Sequence, residues 1–136
     1  MRGLKIRGRW LQLILGGEKT MEARSLRLKI VGRRIALGNT DTGKVEGYAT
    51  VKDVIEIPFL EIAKYESQHL ATKWLASHYS GKKMIYGYVL ENAKREPNPF
   101  PYPKSPAITF KIKDDNSQSS SEVVNVPSRN GERQQC

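Results

Sequence analysis

Cysteine is almost absent: the single thiol is Cys136, the last residue. No internal disulfide framework and no cysteine-rich zinc site can be built from it. Histidine is nearly as scarce, with only His69 and His78, so no metal site and no cofactor are expected. Long apolar runs are missing as well. Mean hydropathy is −0.56, and the stretch Trp10 to Leu15 is too short and too interrupted for a membrane span or the apolar region of a signal peptide. These absences describe a soluble monomer of the cytoplasm, or of the nucleus in a eukaryote, with no membrane partner. The chain also lacks a serine or cysteine nucleophile with a partner base, and a phosphate-binding glycine loop ahead of a helix. Its 136 residues leave room for one domain with a modest core.

What the chain does have is positive charge, and it is unevenly placed. Residues 1–34 hold ten Lys or Arg against Glu18 and Glu22 alone, whereas 114–136 carry a net negative charge within a total of +9. A localised positive field attracts polyanions and speeds their encounter, so nucleic acid is the expected partner.

The densest chemistry lies in the same quarter. Trp10, Leu11, Ile14 and Leu15 recur at helical spacing, with Arg9 and Gln12 on the opposite face. Gly16 and Gly17 end that helix. From Lys19 the period becomes two, placing Met21 and Ala23 on one face of a strand and Thr20, Glu22 and Arg24 on the other. A lysine or arginine here can hold a phosphate, and a desolvated lysine can act as a base. Glu22 either pairs with Arg24 or accepts from the amino group of a base.

Gly17-Glu18-Lys19-Thr20-Met21-Glu22-Ala23-Arg24 resembles the G-x-K-x-x-E-x-R motif of the ASCH (activating-signal-cointegrator homology) domain. The Trp-Leu-x-x-Ile helix before it is also typical of that family, and the resemblance extends over about residues 3 to 113. It implies an α+β fold: a PUA-like small mixed β-barrel with two to three packed helices. It further implies association with RNA, or with a nucleotide or nucleoside ligand, through Arg9, Gly17, Thr20, Arg24, His69, Tyr86 and Tyr88. The rival that the resemblance offers is a hydrolase with Lys19 and Glu22 as catalytic residues. It is either a small amidohydrolase acting on N4-acetylcytidine or a ribonuclease. In the amidohydrolase branch a threonine stands three residues after the lysine, where this chain has Glu22. Aligning His69 with that branch's histidine puts Lys73 where its acid stands, with Glu66 the nearest carboxylate.

The rest of the chain reads as follows. Gly3–Arg7 alternates as a first strand, and Ser25–Val31 is a basic strand or loop. Arg33–Gly38 is a strand, and Lys44–Ile57 a long one bent at Gly47. A short helix follows Pro58, burying Phe59, Leu60, Ile62 and Ala63. A second helix runs from Gln68, with Trp74 in the core and His78 a structural histidine on its buried stripe. Met84–Glu91 is a strand whose Tyr86 and Tyr88 share a face, either stacking bases or packing. Proline at every second position from Pro97 to Pro103 implies an extended crossover without regular ladder pairing, or a ligand segment for a protein partner. Ala107–Lys113 is the closing strand. Residues 1–113 thus form the domain, and 114–136 a disordered polar tail, a second place where a protein partner can dock.

Overall fold

Two long antiparallel strands, β4 (Lys44–Pro58) and β5 (Met84–Pro101), form the backbone of the sheet. The structure, a computed structural model, describes residues 1–113; the segment expected to be a disordered tail lies outside the described residues. The register of β4 and β5 runs from Lys44↔Pro101 to Pro58↔Met84 and shifts at three places, the first between Val45 and Gly47. Each shift adds bend and twist. A side chain at Gly47 would collide with Leu15 and with the Lys94 carbonyl. Glycine is needed there because the helix α1 (Gly8–Leu15) sits directly on the bend.

The other strands are β1 (Arg2–Ile6), β2 (Met21–Arg24), β3 (Arg34–Asn39) and β6 (Thr109–Lys111). They complete one sheet in the order β2-β5-β4-β3-β1-β6. This is the mixed α+β arrangement expected, with β1 and β3 parallel and the remaining pairs antiparallel. The sheet curls but does not close, because β2 and β6 share no ladder. The gap is spanned by a side chain: Arg24 at the end of β2 donates from Nη2 to the Lys5 carbonyl of β1 at 2.5 Å. Leu4 and Ile6 of β1, Leu11 and Ile14 of α1, and Tyr88 and Leu90 of β5 belong to one continuous core inside this curl.

A second apolar cluster lies on the other face of β2 and β5, where Met21, Ala23, Ile57 and Ile85 meet Ile62 and Leu75. The covering elements are a 3₁₀ helix (Phe59–Tyr65), α2 (Glu66–His69) and α3 (Thr72–His78). Here the sequence expectation needs two corrections. Of the four residues expected to be buried after Pro58, Ile62 is buried and Leu60 is 93% exposed, because a three-residue turn places fewer positions on one face. The single helix from Gln68 is two short ones, broken where Leu70 adopts φ 57.

The proline-rich segment is a third correction. The ladder skips residues 96–99, as expected, but resumes beyond them, where Phe100 and Pro101 pair with Val45 and Lys44. Neighbouring strand residues direct their N–H groups to opposite sides. Prolines at every second position therefore lose donors on one side only. At Pro101 that side faces away from β4, while the Tyr102 N–H reaches the Gly43 carbonyl at 3.2 Å.

Candidate functional site

The motif folds as its local signals dictate. Gly17 takes φ 89, and the Lys19 N–H closes the turn onto the Leu13 carbonyl at 3.0 Å. β2 then pairs with β5 in the register Glu22↔Tyr88 and Arg24↔Tyr86. The consequence is that Lys19 and Glu22 turn inward, at 3% and 5% exposure. Lys19 Nζ donates to the His69 carbonyl, lies 5.2 Å from the centroid of the Trp10 ring, and is 3.7 Å from Glu22 Oε1. Burial pushes the Lys19 pKa below its ordinary 10.5, against the pull of Glu22 in the other direction. Glu22 Oε2 accepts from Arg24 Nε at 2.8 Å. The 3.7 Å contact at Oε1 is longer than a formed hydrogen bond, so that oxygen keeps acceptor capacity.

These three side chains share the wall of a cavity of about 450 Å³, within the range of small-molecule sites. α1 contributes Trp10 and α3 contributes Trp74, their rings edge-on at 71° with centroids 6.2 Å apart. His78 stacks on Trp74 at 4.2 Å and 15°, and the Arg7 guanidinium lies 5.5 Å from the Trp74 ring centroid. Lys5 and Arg7, on and just after β1, bring positive charge to the same wall, and Pro106 to Ile108 close the far side. The cavity thus presents planar π surfaces, one buried carboxylate and basic side chains.

The sequence-derived candidates separate accordingly. Lys19, Glu22 and Arg24 come together in the cavity. Arg9 is exposed and lies over Trp10, with its guanidinium carbon 4.3 Å from the ring centroid. Gly17 and Thr20 are exposed and outside the cavity lining. Tyr88 is fully buried, and its hydroxyl donates to the Leu26 carbonyl at 2.7 Å and accepts from Leu28 N–H at 2.6 Å. It anchors the loop after β2 and offers no face to a base. Tyr86 is half-buried beneath Arg27, away from the cavity. β2 and the tyrosine strand are hydrogen-bonded neighbours, so no cleft opens between them. Trp10, Trp74, His78, Arg7 and Lys5 were not among the site residues expected from sequence. The expectation that His78 is buried is corrected: it is exposed and lines the cavity. The i, i+4 spacing of Trp74 and His78 was the available signal.

His69 is fully buried, and its ring is occupied. Nδ1 accepts from Ala71 N–H at 2.9 Å, so the proton sits on Nε2, which donates to the Ile62 carbonyl at 2.8 Å. Its main-chain carbonyl, not its ring, touches the site. Burial holds the His69 pKa below 6.5. The unfolded chain therefore binds this proton at a higher pH than the folded one. The stability contributed by the neutral ring is complete above pH 6.5 and is lost as pH falls through the folded value. Urea unfolding at stepped pH is expected to show the gap between wild type and His69→Gln narrowing below pH 6.5.

Comparison with known proteins gives a consistent picture. The family model of the ASCH domain matches residues 4–98. A variant of the ASCH protein from Zymomonas mobilis superposes with a TM-score of 0.72 at 15% identity, over 82% of this chain and 87% of that one. A structure of ASCH from the same organism gives 0.63 at 17%, over 69% and 68%. A protein from Enterococcus faecalis V583 gives 0.54 at 14%, over 72% and 84%. At these identities the likeness is one of fold. No curated protein matches the sequence. Among the described residues no helix is long and apolar enough to cross a membrane.

Proposed function

The chain belongs to the ASCH domain family, and from that premise we propose that it binds single-stranded RNA by seating one base in the cavity beside Glu22. The observation that carries this reading is the combination of groups on one wall. Trp10 and the Trp74–His78 stack offer π surface, Glu22 Oε1 offers an acceptor for a base N–H, and Arg7 and Lys5 lie where a phosphate can follow. Stacking is sequence-tolerant, whereas a buried carboxylate favours bases that present a donor edge. A base can enter such a cavity only when unpaired, which favours a single strand over a duplex. The residues 1–113 form the binding unit.

Trp74→Ala tests the stacking arm. RNA affinity is expected to fall by about tenfold to a hundredfold, equivalent to one stacked base, with the salt dependence of binding unchanged because no phosphate contact is lost. Fluorescence anisotropy across a salt series reads both quantities, and a thermal melt confirms folding. Unchanged affinity in a folded variant contradicts the reading.

One observation favours hydrolysis as a second reading. The buried, pKa-lowered Lys19 lies beside Glu22 in a ligand-sized cavity, an environment suited to a base. The acid expected from the amidohydrolase resemblance is not there. Lys73 is exposed, and Glu66 accepts from Thr72 N–H at 3.0 Å and Thr72 Oγ1 at 2.5 Å. Turnover of N4-acetylcytidine or of RNA would therefore run on Lys19 and Glu22, and Lys19→Met would abolish it.

A further inference from the structure

A second cavity, of about 360 Å³, lies beside the first and shares one lining residue with it, Lys5. Its lining includes Lys44 at the start of β4, Lys104, Tyr102 and Ser105. No carboxylate lines it. Lys44 and Lys104 are exposed and enter no ion pair among the described residues. Lys5 Nζ donates to the Ser105 carbonyl at 2.6 Å and lies 5.4 Å from the centroid of the Tyr102 ring. Tyr102 in turn stacks on Phe110 at 4.7 Å. Tyr102, backed by Phe110, forms an aromatic wall of the depression. The charge facing solvent is three ammonium groups along that depression.

Resting on the base-binding reading above, we propose that the second cavity holds the sugar–phosphate backbone adjoining the seated base, with Lys5 as the shared contact. The ligand class is accordingly an RNA strand of several nucleotides and not a free nucleoside. Ammonium groups bind phosphate as point charges without reading sequence. The two cavities then divide the work, the first recognising a base and the second tracking the backbone.

Lys44→Ala/Lys104→Ala tests this. The probes are a labelled single-stranded RNA hexamer of randomised sequence and the four nucleoside monophosphates as competitors. The double variant is expected to bind the hexamer about tenfold more weakly and to lose about 1.4 from the magnitude of the logarithmic salt slope, while binding the monophosphates as wild type does. Lys82→Ala/Lys83→Ala, which removes the same charge from exposed positions outside both cavities, is the control and is expected to leave affinity within a factor of about two. Equal weakening by both double variants makes the effect a general field and overturns the proposal. Wild-type protein that binds monophosphates as tightly as the hexamer overturns it too, but leaves the base-binding reading standing. Failure of wild-type protein to bind either probe removes both.

Discussion

Glu22→Ala is expected to cost about 3–5 kcal/mol of stability and to abolish RNA binding. Among the described residues, the Glu22 carboxylate is the counter-charge with which both Lys19 and Arg24 form ion pairs. Removing it leaves two cations in a buried environment, and breaking a buried pair costs several kcal/mol because the remaining charge is uncompensated. For a domain whose whole stability is about 5–15 kcal/mol, that is a large share. Glu22→Gln keeps the shape and separates the two effects. It is expected to fold with a smaller loss and to weaken binding of bases that present an N–H donor by about tenfold or more, since a hydrogen bond to a charged acceptor is worth about 1.5–3 kcal/mol. Urea unfolding and anisotropy on both variants check this. A stable Glu22→Ala protein that binds RNA normally removes Glu22 from the site.

Arg24→Ala is expected to be destabilising by about 3 kcal/mol. The sequence places this arginine on a polar strand face and so offers it to RNA. In the structure its Nε holds Glu22 and its Nη2 holds the Lys5 carbonyl, with only 12% of the side chain exposed. It fixes the orientation of the carboxylate and ties β2 to β1 where no ladder joins them. Arg24→Lys should recover little, because an ammonium cannot reproduce the guanidinium fork. Hydrogen exchange at β1 and β2 should accelerate in both variants. The joint substitution of Lys19 and Arg24 by alanine, fold-neutral if both were surface cations, is instead expected to destabilise. A wild-type melting curve for Arg24→Ala together with lost RNA binding would restore the surface-cation role.

The helix, glycine turn and strand of the motif were legible because each rests on local signals: apolar spacing, two adjacent glycines, then alternation. That both faces of the strand are covered was not. That depends on β5 lying between β2 and β4, an arrangement that covers Tyr88 completely. The roles of Trp74 and His78 were hidden for a similar reason. Helical spacing groups them with Leu75, and all three do share one side of α3, but that side borders the cavity as well as the second apolar cluster, so Leu75 is buried while His78 stays exposed at the cavity wall. The ladder skips residues 96–99, as the prolines imply; what was missed is that pairing resumes at Phe100 and Pro101, where the proline turns its donor-less side away from β4. The basic quarter was correctly singled out as charge, yet its residues divide. Lys5 and Arg7 line the cavity, Arg24 lines it too while bonded to Glu22 and the Lys5 carbonyl, and Arg27, Lys29 and Arg33 line a separate depression on the loop after β2.

The chain has two tryptophans, and both line the cavity. Indole emission therefore reports its occupancy directly. Titrating a labelled single-stranded RNA hexamer while recording tryptophan emission and label anisotropy together is the most direct test. A base seated in the cavity against these indoles predicts quenching that saturates along the same curve as the anisotropy. Anisotropy that rises to saturation while the emission stays unchanged would place the RNA elsewhere and contradict the account.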